Sequence, residues 1–170
     1  MDLLTPQKEM QYAGFWMRFA AYLIDGFIVS FISGIIFIPI SLITGVSMFS
    51  LFKDDVSDAE KAAYVFGFIG IIAVMVILVI IVQWLYYALQ ESSESQATLG
   101  KRAMGIIVTD LHGNRITFLN ATGRHFGKII SGAIMNIGYI MAGFTEKKQA
   151  LHDILANCLV IKKPLQFKLD

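Results

Sequence analysis

The sequence predicts an all-α membrane protein with two long transmembrane helices, a third short helical segment that is re-entrant or spanning, and a small cytoplasmic cap made of a β-hairpin and a strand. Of the 170 residues, 56% are hydrophobic and 16% are charged, whereas soluble domains carry about 25% charged residues. The mean hydropathy is +0.64. Two apolar stretches reach the roughly 20 residues that a bilayer span requires. We treat residues 1–170 as one membrane domain.

The first transmembrane helix is predicted over residues 18–41, after an interfacial lead-in over residues 1–17. In the lead-in, Thr5 and Pro6 are typical of a helix start. Pro39 is expected to kink or end the transmembrane helix. Residues 42–61 are then expected to form an outer loop.

The second transmembrane helix is predicted over residues 62–89, with its start near Asp58. Ser57 and Glu60 have the spacing of a capping box before an apolar run. The run ends in Trp84 and Tyr86, and such aromatic residues are enriched at the membrane–water interface.

Residues 90–119 are the most polar part and are predicted to form a cytoplasmic linker and hairpin. The segment ATLGKRAMG is typical of a short interfacial helix with a basic face. The segments GIIVTD and RITFL surround a turn containing Gly113 and Asn114, which favours a β-hairpin.

The third membrane segment is predicted over residues 120–144, followed by an amphipathic helix and a terminal strand over residues 145–170. Lys and Arg are abundant both before and after this segment, and short cytoplasmic loops are rich in these residues. We therefore expect a re-entrant or broken hairpin with its apex near Asn136–Gly138, and both chain termini in the cytoplasm. The rival topology has a third full transmembrane span, which places the C-terminal tail on the outer side of the membrane.

A carboxylate inside the first helix is the main candidate site. Arg18 and Asp25 are seven residues apart, so they share a helix face with an axial offset of about 10 Å. A carboxylate at the centre of a membrane helix costs about 2.5–3.5 kcal/mol on insertion scales. Gln83 has a comparable depth, and Tyr22 and Asn136 are further candidates for the same polar route. Possible ion-pair partners are Lys101, Arg102, Asp110, Arg124 and Lys128.

Three segments resemble the RDD family of small membrane proteins, which is named for one arginine and two aspartates. They are AGFWMRFAAYLID, TLGKRAMGIIVTDLHGNRIT and KKQALHDILANCLVIKK, and they come in the order of that family. The resemblance implies that Arg18 is the family arginine and Asp25 the first aspartate. It also implies that Asp153 is the second aspartate, and Asp110 is the alternative match. The chain departs from the family at NCLVI, where relatives commonly have a Gly-Thr pair.

On this assignment we expect Arg18 to pair mainly with Asp153. We expect Asp25 to be held by Gln83 or by a basic residue of 101–128. Because His152 and Asp153 are adjacent in sequence, they are not expected to face each other.

The sequence favours two functions. One is a non-catalytic, oligomeric membrane module in which a buried Arg/Asp network joins the helices to the cap. The alternative is a cation- or proton-coupled transporter, or a transport accessory, that uses Asp25 as its ion or proton site. The expected partners are the lipid bilayer and a second copy or another membrane protein, and the expected location is a prokaryotic cytoplasmic membrane.

Other functional classes lack sequence support. No nucleophile–base pair, metal motif or phosphate loop indicates an enzyme, and no cofactor is expected. The single cysteine, Cys158, excludes an internal disulfide. The basic residues border apolar segments, which fits anionic lipid as well as nucleic acid, so nucleic acid is not an expected partner.

Overall fold

The computed structural model describes residues 10–49, 56–134 and 137–164. It has two long apolar helices, a broken third helix and a two-stranded antiparallel sheet, which confirms the predicted fold class. A 3₁₀ turn at Met141–Gly143 follows α5. The elements are α1 Phe15–Met48, α2 Asp58–Glu91, α3 Leu99–Ala103, β1 Ile106–Asp110, α4 Phe118–Ala133, α5 Ile137–Ile140, α6 Leu151–Leu155 and β2 Cys158–Lys162.

Helix α1 is longer at both ends than the predicted span of residues 18–41. Pro39 lies inside the helix and does not end it. The hydroxyl groups of Ser41 and Thr44 donate to the backbone carbonyls of Ile38 and Ile40, both at 2.9 Å. These bonds link the two hydroxyl groups to the helix backbone on either side of Pro39. Much of the expected outer loop is therefore helical, and the expected helix start at Thr5 lies outside the described residues.

Helix α2 begins where the capping box predicts. The backbone N–H and the hydroxyl of Ser57 both donate to the Glu60 carboxylate, at 3.0 and 2.7 Å. The Glu60 backbone N–H donates back to the Ser57 hydroxyl at 3.3 Å. The helix then continues to Glu91, two residues beyond the predicted end.

The chain forms two compact units, and the second consists of the described residues of Gly26–Leu85. Most side chains of this unit are exposed, including large ones such as Phe27 at 79% and Phe66 at 73%. Val29 and Met75 are the buried hydrophobic residues among those described here. Helices that are apolar all round and this exposed are suited to lipid as their solvent. Both α1 and α2 are long and apolar enough to cross a membrane.

The first unit consists of the described residues of Met1–Asp25 and Tyr86–Asp170. Its core is the antiparallel sheet, where β1 pairs with β2 in a register that sets Val108 opposite Val160. Both valines are fully buried. The N-terminal segment adds to the same sheet, since Tyr12 forms a β-bridge with Ile161. Residues 10–14 thus form an extended lead-in, and α1 begins only at Phe15.

The predicted hairpin between GIIVTD and RITFL is wrong in its second strand. Asp110 Oδ1 accepts the backbone N–H groups of His112 and Asn114, both at 2.8 Å, and so stabilises a tight turn. After the turn, Thr117 caps α4 by accepting from the backbone N–H of Asn120. The strand β1 therefore pairs with the C-terminal strand instead.

The third apolar segment is a broken helix. Its two parts, Phe118–Ala133 and Ile137–Gly143, are bent by 116° relative to each other. Gly138 packs against α4, where an added Cβ would lie 2.8 Å from the Cβ of Ser131. The predicted apex residue Asn136 lies outside the described residues.

The C-terminal amphipathic helix is shorter than predicted. Lys148 has a positive φ of 50°, which prevents a helix from continuing through it. Helix α6 begins after Ala150, whose backbone N–H donates to Asp153 Oδ2 at 3.0 Å. Asn157, with φ of 51°, follows the helix in the left-handed conformation that is common just after a helix end.

Strand pairing constrains how the chain passes a membrane. Tyr12, β1 and β2 are hydrogen-bonded neighbours, so all three lie on one side. Crossings by α1 and α2 return the chain to that side before β1. Because β2 pairs with β1, the segments before and after the broken helix lie next to each other.

Candidate functional site: a buried ionic network

Arg18 lies in the first turns of α1, and each of its three guanidinium nitrogens binds an oxygen within the first unit. Its Nε donates to the Ala13 carbonyl at 2.9 Å, and its Nη2 donates to the Lys148 carbonyl at 2.5 Å. Its Nη1 forms an ion pair with Asp153 Oδ2. The expected pairing of Arg18 with Asp153 is therefore present.

Asp153 is fully buried and lies between two arginines. Its Oδ1 accepts from Arg124 Nε at 2.7 Å, while its Oδ2 binds Arg18 and the Ala150 backbone N–H. Burial by itself would raise the pKa of Asp153. The charges of Arg124 and Arg18 outweigh that effect and hold the pKa well below its usual range.

Glu91, the last residue of α2, extends the network. Its Oε2 binds Arg124 Nη1 at 2.6 Å, and its Oε1 binds Lys101 Nζ. The Nζ atom of Lys128 lies 3.6 Å from the same Oε1 and 4.1 Å from the centroid of the Tyr87 ring. The ion pairs run in sequence through Arg18, Asp153, Arg124, Glu91 and Lys101, and so join the start of α1 and the end of α2 to α3, α4 and α6.

Asp25 is buried and is held by three uncharged donors. Its Oδ1 accepts from the Tyr86 hydroxyl at 2.8 Å and from the Gly100 backbone N–H at 2.7 Å. Its Oδ2 accepts from the Thr98 hydroxyl at 2.6 Å. The expected support from Gln83 or from a basic residue of 101–128 is thus replaced by two hydroxyls and one backbone amide.

Gly100 is required for this arrangement. A Cβ at Gly100 would lie 2.8 Å from Asp25 Cγ and would also clash with the backbone carbonyl of Ala21. The Thr98 hydroxyl, which binds Asp25, also accepts from the backbone N–H of Lys101 and so caps α3. The segment Thr98–Gly100 therefore fits around the carboxylate because one of its residues lacks a side chain.

Some predicted site residues lie apart from the network. Tyr22 is 62% exposed, and Gln83 and Arg102 are also exposed. Asp110 stabilises the turn after β1. Asn136 lies outside the described residues. Among the predicted residues, those that the structure brings into the network are Arg18, Lys101, Arg124, Lys128 and Asp153.

Sequence reasoning missed Glu91, Thr98, Gly100 and Tyr86 as site residues. The available signal for Glu91 was a single acid at the end of an apolar helix. Thr98 and Gly100 lie 73 and 75 residues from Asp25, and no local pattern links them to it. Their role depends on which segments meet in three dimensions.

His152 is closer to Asp153 than its sequence position suggested. Its Nε2 lies 3.5 Å from Asp153 Oδ1, and its Nδ1 lies 3.3 Å from the hydroxyl of Ser131. The expectation that the two adjacent residues do not face each other is wrong, because this ring nitrogen lies within ion-pair distance of the carboxylate. Burial lowers the pKa of His152 to about 3, so the ring is neutral at physiological pH.

Comparison with known proteins identifies relatives along nearly the full chain. The protein YxaI of Bacillus subtilis strain 168 is 38% identical over 151 residues, which cover 89% of this chain and 97% of that protein. The membrane protein YteJ of the same strain is 28% identical over 177 residues, which cover 98% of this chain and 93% of that protein. Both are described as uncharacterized. No solved structure matches the chain.

The sequence model of the RDD family matches residues 12–157. This range contains Arg18, Asp25 and Asp153, the three residues that the resemblance assigned to the family name. It also contains Glu91 and Arg124, through which the ion pairs continue. The chain is an integral membrane protein and belongs to the RDD family.

Proposed function

We propose that this protein is a non-catalytic membrane module that assembles with a second copy of itself or with another membrane protein. The observation that carries the proposal is the continuous, buried series of ion pairs from Arg18 to Lys101. All four carboxylate oxygens of Glu91 and Asp153 are bound to cations in it. Groups engaged in this way hold elements together and are poorly suited to turnover or release.

The energetics of buried ion pairs support a structural role. Removing one partner of a buried pair typically costs about 3–5 kcal/mol, because the other charge is left uncompensated. Such a network also strongly disfavours alternative packings of α4 and α6, since each one would leave a buried charge unpaired. The network therefore defines how the ends of the apolar helices join the sheet.

The proposed location is a prokaryotic cytoplasmic membrane with both termini in the cytoplasm. The sheet side of the chain carries exposed basic residues, and short cytoplasmic segments are rich in Lys and Arg. These exposed basic residues are Arg102, Arg115, Lys147, Lys162 and Lys163. The bilayer itself is the partner of the exposed apolar surfaces of α1 and α2.

A small-residue face on α1 supports association with a second copy. Gly26, Ser30 and Gly34 are four residues apart and lie along one side of the helix. A Cβ at Gly26 would meet nothing within 4 Å, and at Gly34 it would meet only Ile38 of the same helix. Such open stripes let two membrane helices approach closely.

A cysteine at Ser30 tests this association. The Ser30→Cys variant is expected to form a disulfide-linked dimer upon mild oxidation in membranes. Ile32→Cys is the matched control, because it is also exposed but about 200° away around the helix. Equal cross-linking at both positions, or none at Ser30, would exclude this face as a contact between copies.

The second candidate function is cation- or proton-coupled transport through Asp25. The observation in its favour is that the Asp25 carboxylate lies beside two hydroxyl oxygens, from Tyr86 and Thr98. Oxygen ligands of this kind are those that hard cations prefer. A carboxylate within an apolar helix is by default a candidate for ion or proton exchange.

Replacing Asp25 separates the two functions. Purified wild type, Asp25→Asn and the control Glu94→Gln, which changes an exposed acid, are reconstituted into vesicles. Proton flux is followed with an entrapped pH dye under an imposed cation gradient, and unfolding is followed by thermal denaturation. The structural function predicts no flux above empty vesicles for wild type and a lower melting temperature for Asp25→Asn. Wild-type flux that is lost in a stably folded Asp25→Asn would instead establish transport.

A further inference from the structure

The buried network contains more positive than negative charge. It holds four cationic side chains and two carboxylates, and the cations are Arg18, Lys101, Arg124 and Lys128. The carboxylates are Glu91 and Asp153, and His152 is neutral. With both lysines protonated, the count that includes Asp25, which is bound by uncharged donors, still leaves one positive charge in excess. A net charge away from water is costly unless an anion compensates it.

Three cationic side chains lie around the carboxylate of Glu91. Its Oε2 is taken by Arg124, and its Oε1 is taken by Lys101. Lys128 approaches the same Oε1 only to 3.6 Å. Burial lowers the pKa of Lys101 to about 7; Glu91 opposes this fall, whereas Arg124 and Lys128 add to it. The third cation around one carboxylate is therefore Lys128.

Lys128 is also the most accessible of the four cations. Its side chain is 20% exposed, compared with 13% for Arg18, 9% for Lys101 and 3% for Arg124. Its ammonium group lies over the ring of Tyr87, and the ring of His125 lies 5.9 Å from that of Tyr87. In the described part of the chain, Nδ1 of His125 is a buried nitrogen without a hydrogen-bond partner.

The position of Lys128 along the helices indicates the source of the missing anion. Tyr87 and Glu91 form the last turn of α2, a helix long and apolar enough to cross a membrane. Tyrosine at such an end lies at the level of the lipid headgroups, and long lysine side chains extend to the same level. Basic pockets between membrane helices bind headgroups at this depth.

We infer that Lys128, next to Tyr87 and His125, binds the phosphate group of an anionic phospholipid and thereby balances the charge of the buried network. The shared chemistry is a phosphate oxyanion near an ammonium group, which either a lipid headgroup or free phosphate supplies. This site is independent of whether copies of the chain associate.

The test compares Lys128→Gln with Lys163→Gln, which removes an exposed lysine outside the network. Melting temperatures are measured in nanodiscs of phosphatidylcholine alone and of phosphatidylcholine with phosphatidylglycerol. Phosphatidylglycerol is expected to raise the melting temperature of wild type and Lys163→Gln but not of Lys128→Gln. Lys128→Arg, which keeps the charge, is expected to retain the rise.

The behaviour in neutral lipid separates this site from an ordinary ion pair. Because Lys128 is the excess cation, Lys128→Gln is expected to melt at or above the wild-type temperature in phosphatidylcholine alone. A lower melting temperature there would show that Lys128 mainly stabilises Glu91, and would overturn the inference. A rise with phosphatidylglycerol that survives in Lys128→Gln would overturn it as well.

Two further measurements identify the anion. Native mass spectrometry is expected to show that Lys128→Gln retains phosphatidylglycerol about tenfold less than wild type, equivalent to about 1.4 kcal/mol. Inorganic phosphate added to phosphatidylcholine nanodiscs at constant ionic strength is expected to have no effect. If inorganic phosphate reproduces the rise in wild type and not in Lys128→Gln, the phosphate site stands, but the lipid is excluded as its ligand.

Discussion

Arg18 and Asp153 are 135 residues apart in sequence and form a buried ion pair between the start of α1 and α6. The pair is not isolated, because Arg124 binds the other oxygen of Asp153. The arginine and the second aspartate of the RDD family are therefore joined through a third residue, Arg124, that the family name does not mention. Arg124 in turn extends the network to Glu91.

Replacing Arg124 is expected to destabilise the protein strongly. Arg124→Gln leaves Glu91 and Asp153 each without one cation, and removing one partner of a buried pair typically costs about 3–5 kcal/mol. The control Arg102→Gln removes an exposed arginine and should change stability by less than about 0.5 kcal/mol. Chemical denaturation in a mild detergent measures both. Similar stabilities for the two variants would contradict a structural role for the network.

A methyl group at Gly100 is expected to disturb the Asp25 site. Gly100→Ala places a Cβ 2.8 Å from Asp25 Cγ and against a backbone carbonyl, and overpacking of this kind costs about 1–3 kcal/mol. Gly123→Ala is the control, because a Cβ at this position of α4 meets nothing within 4 Å. The comparison of melting temperatures measures the effect. A tolerated Gly100→Ala would show that α3 does not pack against Asp25 this closely.

Acid is expected to destabilise the fold through His152. Its pKa is about 3 in the folded protein and about 6.5 in an unfolded chain, so as pH falls the unfolded chain binds the proton first. The stability that this residue contributes is thus complete above pH 6.5 and is lost as pH falls towards 3. Between pH 6 and 4.5 the loss approaches about 1.4 kcal/mol per pH unit.

The variant His152→Asn isolates this contribution. Between pH 6.5 and 4.5, the stability of this variant should depend less on pH than that of wild type. The difference in slope corresponds to about one fewer proton taken up on unfolding. The pKa of Asp153 is lowered below its usual range, so the protonation of Asp153 changes the stability mainly at more acidic pH. His112→Asn is the control, because His112 is exposed. If all three proteins show the same pH slope, a neutral, buried His152 is excluded.

Labelling of an introduced cysteine tests the orientation of the chain. Lys163→Cys is expected to react with an impermeant maleimide in inverted vesicles but not in intact cells. The native Cys158 provides a low background, because it is buried and burial raises its pKa to about 11, which keeps the thiol protonated. Ala59→Cys, at the other end of α2, should show the opposite pattern. Labelling of both Lys163→Cys and Ala59→Cys from outside would establish the rival with a third full span.

Local sequence patterns were sufficient to predict the two long helices, α1 and α2. The start of α2 follows from Ser57 and Glu60, because a capping box involves residues only three apart. The two membrane helices follow from their length and apolar composition. The end of α1 was misplaced because Pro39 was expected to kink or end the helix, whereas the helix continues through it to Met48.

Long-range pairing was predictable only in part. The terminal segment NCLVIKK was interpreted as a strand of the cap, and the structure pairs this strand, β2, with β1. The RITFL segment has the composition of a strand, but Thr117 caps a helix there. Local propensity did not distinguish these outcomes, because strand formation depends on which partner is available.

From the residues alone, the chain could be assigned two long membrane helices, a resemblance to the RDD family, and three unusual charged residues, Arg18, Asp25 and Asp153. These conclusions rest on composition, hydropathy and short motifs, which are local properties. The pairing of Arg18 with Asp153 was expected and is present. Three-dimensional contacts were needed to find that Asp25 is held by Tyr86, Thr98 and Gly100. A buried polar group needs a hydrogen-bond or ion-pair partner wherever it lies in the sequence, but the fold determines which distant group is close enough to be that partner.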